Sequence, residues 1–514
     1  MAAAMALLVW YTIKVPHVPD LAAQLARSGV AGSSGFAQWW LGWFGGLQLQ
    51  TYSLFAPSLV WLLGAPAVGS LAALTSILAM ADLLRDVPRR RAGTAVFAVF
   101  AVIDVIAGRL TFALGFAAAL VAVAALKRQM KLSVILAILT CFLSLLAAYF
   151  VGVAALAVVL TDSKRRGLAS TVAGGVLSVA IAEQLLFRGT GTMLAPIPAI
   201  VGALATALGV AWVVPQRSIR VGSLLIGLAS VATLVSPGAL GGNVVRICWL
   251  LAPALVVTFG SFDMFARVPG LQRLDPRLLM AAAALGTAAW PISNIVVELA
   301  SSADASTTVA FYEPLVRQIR TQAGSTGSEH RIEVVPTRAH WEDKYLSSKF
   351  QLARGWDRQA DIADNPLFYE STLDAVRYRT WLGDLAVGWV ARPRSPLDGA
   401  GLEEAKLIDS QPDFLTRVWS SPTWDLYRVN YATALVDGAT VVDVQPASLR
   451  VHFNAAGVAK VRIRWSPYLV AEPVAESNGA IACVRLSGDF VELSASAAGD
   501  YLLTSEFKLL THRC

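Results

Sequence analysis

The sequence predicts a polytopic α-helical membrane protein with a C-terminal domain of mixed α/β and β structure, and three observations support this fold class. Of the 514 residues, 56% are hydrophobic and only 15% are charged, and the mean hydropathy is +0.58. Long uncharged runs are confined to residues 1–300. These residues hold 20 Lys and Arg against 9 Asp and Glu, whereas residues 301–514 hold 22 against 26. Such a composition excludes an ordinary soluble enzyme and a disordered chain.

The uncharged runs define the predicted membrane helices, because a bilayer core requires about 20 apolar residues per crossing. The runs are 68–84, 93–103, 110–126, 132–160, 168–187, 200–214, 221–235, 244–259 and 278–299. Lys and Arg accumulate at 85–91, 127–131, 164–166, 217–220 and 267–277, which predicts that these loops are cytoplasmic.

The basic loops also set the number of crossings. The run 132–160 has a basic loop at each end, so it must cross an even number of times, and we predict two short helices that meet near Ala147. Residues 93–126 leave and return in the same way, with an outer turn at Gly108. With the N-terminus inside, this topology has about eleven crossings and an extracytoplasmic C-terminal domain, in a multi-pass protein of the cell membrane.

The first 65 residues do not follow the simple pattern. Residues 1–13 are too short to span a bilayer and lack the basic start of a signal peptide, so we expect that the chain begins late or that this helix is partly embedded. The outer loop 15–65 carries Trp39, Trp40 and Trp43 and a helical segment at 52–64. Because tryptophan favours the membrane interface, we interpret this loop as a pair of surface-lying helices within the membrane domain, residues 1–300.

Two further domains are predicted after residue 300. Residues 301–436 combine a helical pattern at 312–321 with strand patterns at 331–335, 386–391 and 424–429, which indicates a small α/β domain. Short alternating segments separated by turns fill residues 437–514 and favour a β-sandwich. These segments are 441–445, 448–453, 459–465, 481–486, 490–494 and 501–507.

The four cysteines and five histidines limit the chemistry. Cys141 and Cys248 lie inside apolar runs and are expected to be core residues. Cys483 and Cys514 lie in the outer domain, where an oxidising environment favours a disulfide between them. No Cys/His spacing typical of a metal site occurs. Nucleic-acid binding is disfavoured, because the basic residues are distributed among cytoplasmic loops instead of forming one patch.

Several charged residues are not explained by topology. Arg109, Arg188 and Arg246 lie at the outer ends of helices, and three acids, Asp20, Asp104 and Glu183, lie on the same side. An ionisable group at membrane depth costs at least about 2.5 kcal/mol on insertion scales, so each should face a cavity or a partner.

Two interpretations of these charges stay open. In one, the arginines bind a phosphate in a polar cavity while a carboxylate acts as a base. In the other, Glu183 pairs locally with Arg188 and Asp104 with Arg109, and Asp20 is only a helix N-cap. Asn243 and Arg246 open a helix whose N-terminus can attract an anion. In the soluble part, segments 340–342 and 354–359 combine aromatic and charged residues, which is typical either of a carbohydrate-binding surface or of salt bridges at the edge of a core.

The layout resembles a known superfamily. A first helix, an outer loop with the acid Asp20, the pattern Tyr-x-x-x-x-Pro-x-Leu-x-x-x-Leu-Gly at 52–64 and a Gly-rich returning helix at 108–120 resemble the C-type (GT-C) glycosyltransferases. These use polyprenyl-phosphate sugars and include protein mannosyltransferases and actinobacterial arabinofuranosyltransferases. Segments 339–343 and 352–359 with Cys514 resemble uncharacterised actinobacterial integral membrane proteins, some labelled transporters.

The resemblance implies sugar transfer from a polyprenyl-phosphate lipid to an envelope glycan or protein acceptor at the outer face. Asp20 is then the catalytic base, with Asp104 and Glu183 as further catalytic carboxylates. The expected substrate-binding residues are His17, Arg109, Arg188, Asn243 and Arg246. In the superfamily the loop acid is often doubled and acts as a base or a metal ligand, whereas here Asp20 is followed by Leu21, so a divalent metal ion stays open as a cofactor.

Two other functions stay open. A secondary transporter would use Glu183 as a proton or substrate site, although the odd number of crossings, the large outer domain and the lack of an internal repeat argue against it. The third class is a non-catalytic scaffold or lipid-binding protein of the cell envelope.

Overall fold

The computed structural model describes residues 1–51, 53–187, 191–193, 195–235, 241–261, 273–323, 329–474 and 480–507. The chain divides into two compact units. The N-terminal unit comprises Met1–Gln24 and Thr51–Ala300, and the C-terminal unit comprises Leu25–Gln50 and Ser301–Cys514. The sequence analysis assigned the whole of 15–65 to the membrane domain, whereas the structure groups Leu25–Gln50 with the C-terminal segment.

The described part of residues 1–301 is mainly helical, since apolar runs of this length satisfy their backbone hydrogen bonds internally as helices. The helices are α1 Ala2–Ile13, α2 Pro19–Ser34, α3 Ala56–Leu63, α4 Ala65–Leu83, α5 Arg90–Ile106, α6 Leu110–Lys127, α7 Leu132–Leu143, α8 Leu145–Thr161, α9 Arg166–Leu186, α10 Ile197–Val213, α11 Arg217–Val235, α12 Arg246–Phe259 and α13 Pro276–Ser301, with 3-10 turns at Leu49–Thr51 and Gly241–Val245.

Among the described residues, six helical segments are long and apolar enough to cross a membrane, which is compatible with a membrane protein. They are Ala65–Leu83, Leu110–Lys127, Arg166–Leu186, Arg217–Val235, Gly241–Phe259 and Arg277–Ser301. Four shorter apolar helices accompany them, namely α1, α7, α8 and α10. The expected total of about eleven crossings stays a prediction.

Both predicted helix breaks are confirmed. The run 132–160 is divided at Ser144, three residues before the predicted position, and the Ser144 hydroxyl caps α8 by accepting a hydrogen bond from the Ala147 backbone N–H at 3.4 Å. Helices α5 and α6 are joined by a turn at Gly108, whose φ of 76° lies in the left-handed region that favours glycine.

Substitution of Gly108 by alanine should destabilise the N-terminal unit. A Cβ atom there would lie 2.6 Å from the backbone nitrogen of Leu21, and the positive φ alone disfavours a side chain by about 1–2 kcal/mol. We expect Gly108→Ala to lower the melting temperature of the purified full-length protein by several degrees. The matched control is Gly202→Ala, where no described atom lies within 4 Å of the added Cβ and the helix α10 favours alanine. Equal melting temperatures for the two variants would contradict the proposed strain.

The C-terminal unit contains short helices and twelve strands among its described residues. The helices are α14 Val309–Ala323, α15 Glu342–Tyr345, α16 Arg358–Asp364, α17 Ala375–Asp384 and α18 Leu402–Asp409, with 3-10 turns at Ala305–Thr307, Pro366–Phe368 and Gly399–Gly401. The strands are β1 Arg331–Val334, β2 Val387–Pro393, β3 Leu415–Ser420, β4 Trp424–Val429, β5 Val436–Asp437, β6 Thr440–Gln445, β7 Ser448–Phe453, β8 Gly457–Arg464, β9 Leu469–Pro473, β10 Ala482–Ser487, β11 Phe490–Ala495 and β12 Gly499–Ser505.

The strands form three four-stranded sheets. The first has the order β1-β2-β4-β3, in which β1 and β2 are parallel and the other pairs antiparallel. The other two, β10-β11-β8-β5 and β6-β7-β12-β9, are antiparallel. Val461 and Val491 of one antiparallel sheet share a buried core with Val451 and Tyr501 of the other. A common core between two sheets is the arrangement of a β-sandwich.

Trp39, Trp40 and Trp43 of the 15–65 loop belong to the interior of the C-terminal unit. Trp40 and Trp43 are at most 1% exposed, and Trp39 packs in the core of the sandwich. The backbone N–H of Leu41 donates a hydrogen bond to the Pro446 carbonyl at 2.8 Å. The expectation that these rings lie at a membrane interface is therefore wrong. Large indole rings gain more from burial against an apolar core than from partial solvation.

Candidate functional site

An ionic cluster in the N-terminal unit brings together residues from five different helices or their ends. Asp20 lies in the first turn of α2, Asp104 in the last turn of α5, and Arg109 immediately precedes α6. Arg246 is the first residue of α12, and Glu298 lies in the last turn of α13. Helix ends carry charged side chains more readily than helix centres, because polar groups are cheaper to solvate there. We call these five residues the ionic cluster.

Arg109 is the centre of the ionic cluster and contacts all three carboxylates. Its Nη2 donates a hydrogen bond to Glu298 Oε1 at 2.8 Å, and its Nε donates to Asp20 Oδ2 at 3.4 Å. Its Nη1 lies 3.6 Å from Asp104 Oδ1. The Arg109 side chain is only 14% exposed. A buried guanidinium that bridges three acids holds the ends of α2, α5 and α13 to the start of α6.

Among the described residues, Arg246 has fewer ionic contacts than Arg109. Its one ionic contact among the described residues joins Nη2 to Asp20 Oδ2 at 3.6 Å, and its guanidinium lies 5.7 Å from the centre of the Phe112 ring. Because a guanidinium has five N–H donors, Arg246 keeps donors for an incoming anion once Asp20 is displaced. The two arginines thus have different capacities: Arg109 organises carboxylates, and Arg246 can bind a ligand.

A small cavity lies beside the ionic cluster. It is lined by Asp104, Arg109, Arg246 and Glu298 and by apolar side chains that include Phe100 and Trp249. Its volume is about 20 Å³, enough for one water molecule. A larger anion therefore requires the side chains to separate. The three contacts longer than that of Arg109 with Glu298, namely the two to Asp20 Oδ2 and the one from Arg109 to Asp104, are the easiest to open.

The carboxylates of the ionic cluster do not fit a metal site. A divalent cation needs carboxylate oxygens that face one common point without a competing cation. Here the guanidinium of Arg109 contacts Asp20, Asp104 and Glu298 and supplies the positive charge. The arrangement can do acid–base chemistry and anion binding without a metal ion.

The structure brings together four of the residues singled out from the sequence, Asp20, Asp104, Arg109 and Arg246. Glu183 is not in contact with them: it lies in α9, which packs against α7 and α8. His17 and Asn243 are half-buried, and neither is among the described residues that line the cavity. Arg188 lies outside the described residues, as does Tyr52 of the 52–64 pattern.

Glu298 was not anticipated. It lies within the predicted apolar run 278–299, next to its last residue, and was not among the expected site residues. Yet a lone carboxylate inside an apolar helix is itself a sign of a partner, since it is costly to bury without one. When this criterion is applied to every helix, it selects Glu298 as well as Asp104.

A second group of charges is buried in the C-terminal unit, around Arg354. The guanidinium forms a two-pronged pair with Asp361 at 2.7 and 3.1 Å and donates to Glu404 Oε2 at 3.1 Å. It also stacks 4.0 Å from the centre of the Phe368 ring. Of the two sequence interpretations of segment 354–359, salt bridging is the one the structure bears out for Arg354, which is 5% exposed.

The pKa values of these acids depend on how each one is paired. Burial acts to raise the pKa of Asp361, but the charge and hydrogen bonds of Arg354, together with Tyr369 and Asn365, outweigh burial and hold it below its usual range. Burial raises the pKa of Glu333 well above its usual range, and the nearby Glu404 adds to the effect. The pairing with Arg354 therefore favours the charged form of Asp361, whereas burial favours the neutral form of Glu333.

The cysteines divide as the sequence suggested for the described residues. Cys141 and Cys248 are buried free thiols, and Cys483 is disulfide-bonded. Its predicted partner Cys514 lies outside the described residues. Neither a protein-family model nor a curated protein matches this sequence.

Proposed function

We propose that the protein is a membrane glycosyltransferase that transfers a sugar from a polyprenyl-phosphate donor to an acceptor of the cell envelope. The observation that carries the proposal is the sharing of one carboxylate oxygen, Asp20 Oδ2, by Arg109 and Arg246. A base held beside two guanidinium groups matches the chemistry of a lipid-phosphate donor, in which an acceptor loses a proton while a phosphate leaves.

The proposed topology has about eleven crossings, with the ionic cluster at the outer leaflet and the C-terminal unit on the extracytoplasmic side. It rests on the basic loops assigned to the cytoplasm. Arg109 and Arg246 interrupt that pattern, and their contacts with acids give them a reason to lie where basic residues are otherwise scarce.

The reaction follows from the roles of three side chains. Asp20 accepts the proton of an acceptor hydroxyl as its oxygen attacks the anomeric carbon of the sugar. The bond from that carbon to the phosphate oxygen breaks, and polyprenyl phosphate leaves with both electrons. Arg246 binds the phosphate and stabilises the charge that develops on it. Arg109 holds Asp20 in place through the hydrogen bond from its Nε to Asp20 Oδ2.

The proposal predicts that Asp20→Asn abolishes transfer while donor binding persists. General-base catalysis contributes about 10²–10⁴-fold, so we expect at least a 100-fold loss in the rate at which polyprenyl phosphate is released from a panel of polyprenyl-phosphate pentoses and hexoses. Arg246→Gln should instead weaken the binding of polyprenyl phosphate itself. Both are measured with purified full-length protein in liposomes that contain acceptor lipid extract.

Asp86→Asn serves as the control. Asp86 is an exposed carboxylate that pairs with Lys127 and Arg85 at a helix connection, so its removal should leave release and binding unchanged. Wild-type release rates in Asp20→Asn would refute the role of Asp20 as base. Unchanged lipid binding in Arg246→Gln would refute the phosphate site.

A secondary transporter is the second candidate, and Glu183 favours it. This carboxylate is half-buried in α9, one of the six candidate spans, and lies apart from the ionic cluster. Ionisable groups in such positions are typical of proton-coupled transport. One substitution distinguishes the two functions. Glu183→Gln should abolish proton-driven uptake in a transporter and should leave sugar release intact in a transferase.

A further inference from the structure

His340, Glu342 and Asp343 form a compact group of nitrogen and oxygen donors in the C-terminal unit. All three are buried, with relative exposures of 4%, 2% and 2%. One donor atom from each lies within 4.8 Å of the other two. The residues follow β1 and lead into α15, so a single short segment delivers the whole group. This group is unrelated to the ionic cluster and takes no part in the proposed transfer.

The distances between the donor atoms of the group are slightly longer than those between the ligand atoms of a bound metal ion. His340 Nδ1 lies 3.5 Å from Glu342 Oε1 and 3.9 Å from Asp343 Oδ2. Tetrahedral bonds of about 2.1 Å place neighbouring ligand atoms about 3.4 Å apart, so only small side-chain movements are needed. The group therefore offers three protein ligands close to the correct spacing.

The outer contacts of His340 also match a metal ligand. Metal-bound imidazoles usually direct the second ring nitrogen at a carboxylate, which fixes the ring. His340 Nε2 lies 3.4 Å from Asp398 Oδ2, and Arg358 holds that carboxylate through two hydrogen bonds of 2.8 and 2.9 Å. The ring stacks on Trp356 with centroids 3.6 Å apart. With a φ of 55°, the His340 backbone is in a conformation that most side chains avoid, so the surroundings hold this residue firmly.

The surroundings of the Asp343 carboxylate are the observation that indicates a ligand. Its carboxylate is buried, and no hydrogen bond reaches it from the described residues; its ionic contact is the 3.9 Å approach of His340 Nδ1. Buried carboxylates without hydrogen bonds are strongly unfavourable. Glu342, in contrast, accepts hydrogen bonds from the backbone N–H and the hydroxyl of Thr337 at 3.0 and 2.6 Å, as a positioned metal ligand does.

A cavity of about 20 Å³ adjoins the group and is lined by His340, Glu342, Asp343, Asp361 and Asp398. This volume admits one water-sized species, such as a metal ion's remaining water ligand. The charges of the surroundings favour a cation. Four acids line the cavity, Glu342, Asp343, Asp361 and Asp398, against two arginines, Arg354 and Arg358.

We propose that His340 Nδ1, Glu342 and Asp343 bind one divalent transition-metal ion, of the class of Zn²⁺ or Mn²⁺. The imidazole ligand separates this class from Ca²⁺ and Mg²⁺, which prefer all-oxygen sites with more ligands. With three protein ligands, the fourth position faces the cavity and is available to water. The ion compensates the buried acids and ties the segment after β1 to the loop that carries Asp398.

The test uses the full-length protein stripped of metal with EDTA and then titrated separately with Zn²⁺, Mn²⁺, Ca²⁺ and Mg²⁺. We expect one equivalent of Zn²⁺ or Mn²⁺ to bind. At about 100 times the dissociation constant, the ion should raise the melting temperature by about 5 °C or more. Asp343→Asn should lose most of this shift. Without metal the same variant should be at least as stable as the wild type, because the substitution is isosteric and removes a buried charge that lacks hydrogen bonds.

Asp425→Asn is the matched control. Asp425 is also a buried aspartate of the C-terminal unit, but its carboxylate already pairs with both Arg394 nitrogens at 2.9 Å. This variant should keep the full metal-dependent shift whatever its own stability. The proposal is overturned if the wild type binds none of these ions, if Ca²⁺ or Mg²⁺ binds as tightly as Zn²⁺ and Mn²⁺, or if Asp343→Asn and His340→Gln bind as the wild type does.

Discussion

Replacing Arg109 by glutamine should abolish sugar release and lower the melting temperature of the purified protein by about 10 °C, as expected for the loss of one partner from a buried ionic group. Three carboxylates would remain around the missing guanidinium, and the contact of Arg246 with Asp20 would be the only ionic compensation in the described cluster. Such an uncompensated group costs about 3–5 kcal/mol. Thermal unfolding in detergent and donor cleavage in liposomes measure the two effects separately.

A double substitution distinguishes electrostatic repulsion between the carboxylates from loss of the catalytic role of Arg109. If the destabilisation arises from facing carboxylates, Arg109→Gln combined with Glu298→Gln should recover much of the lost stability, since the shortest contact of Arg109 joins it to Glu298. Sugar release should not recover, because Asp20 would still lack the neighbour that orients it. Arg85→Gln, at an exposed site, should change neither property. Full activity in the Arg109→Gln variant would remove the ionic cluster from the mechanism.

The sequence predicts most of the architecture because hydropathy and alternation are local properties. The turn at Gly108, the division of 132–160 and the strands Trp424–Val429 and Ser448–Phe453 could all be predicted from the pattern of apolar residues. Strands β3, β5 and β9 were missed. Strand β5 has only two residues, and the burial of β3 and β9 does not alternate cleanly along the strand, so no period of two is visible.

The candidate site was only partly predictable, since contacts between distant residues are not a local property. Four residues of the ionic cluster could be identified because each lies beside an apolar run. The free-energy cost of placing a charge there indicates that it has a partner or a function. These residues are Asp20, Asp104, Arg109 and Arg246. Glu298 satisfies the same criterion but stood at the end of a run. The burial of Trp40 and Trp43 in the C-terminal unit could not be predicted, since their segment packs with residues far along the chain. The backbone of Leu352 donates a hydrogen bond to Gly42, and that of Leu41 donates one to Pro446.

Replacing Arg354 by methionine should prevent stable folding of the C-terminal unit at 37 °C. The guanidinium is the shared partner of Asp361 and Glu404 and lies 3.9 Å from Glu333. Methionine retains the apolar contact with Phe368 but no charge, so Asp361 is left buried without its cation, at a cost of about 3–5 kcal/mol. Limited proteolysis and near-ultraviolet circular dichroism of the full-length protein measure the loss directly.

The same two-pronged geometry at the surface supplies the comparison. Arg394 pairs with Asp425 at 2.9 Å through two nitrogens, but the Arg394 side chain is 46% exposed. Because solvent screens this pair more than that of Arg354, we expect Arg394→Met to lower the stability less than Arg354→Met does. Arg354→Lys should have an intermediate effect, since lysine keeps the charge but cannot form the planar pair with Asp361. Combining Arg354→Met with Asp361→Asn should recover part of the stability if the buried charge is the cause. If Arg354→Met and Arg394→Met lowered the stability equally, burial would not determine the strength of these ion pairs. The stability loss predicted for Arg109→Gln from the burial of Arg109 would then also be wrong.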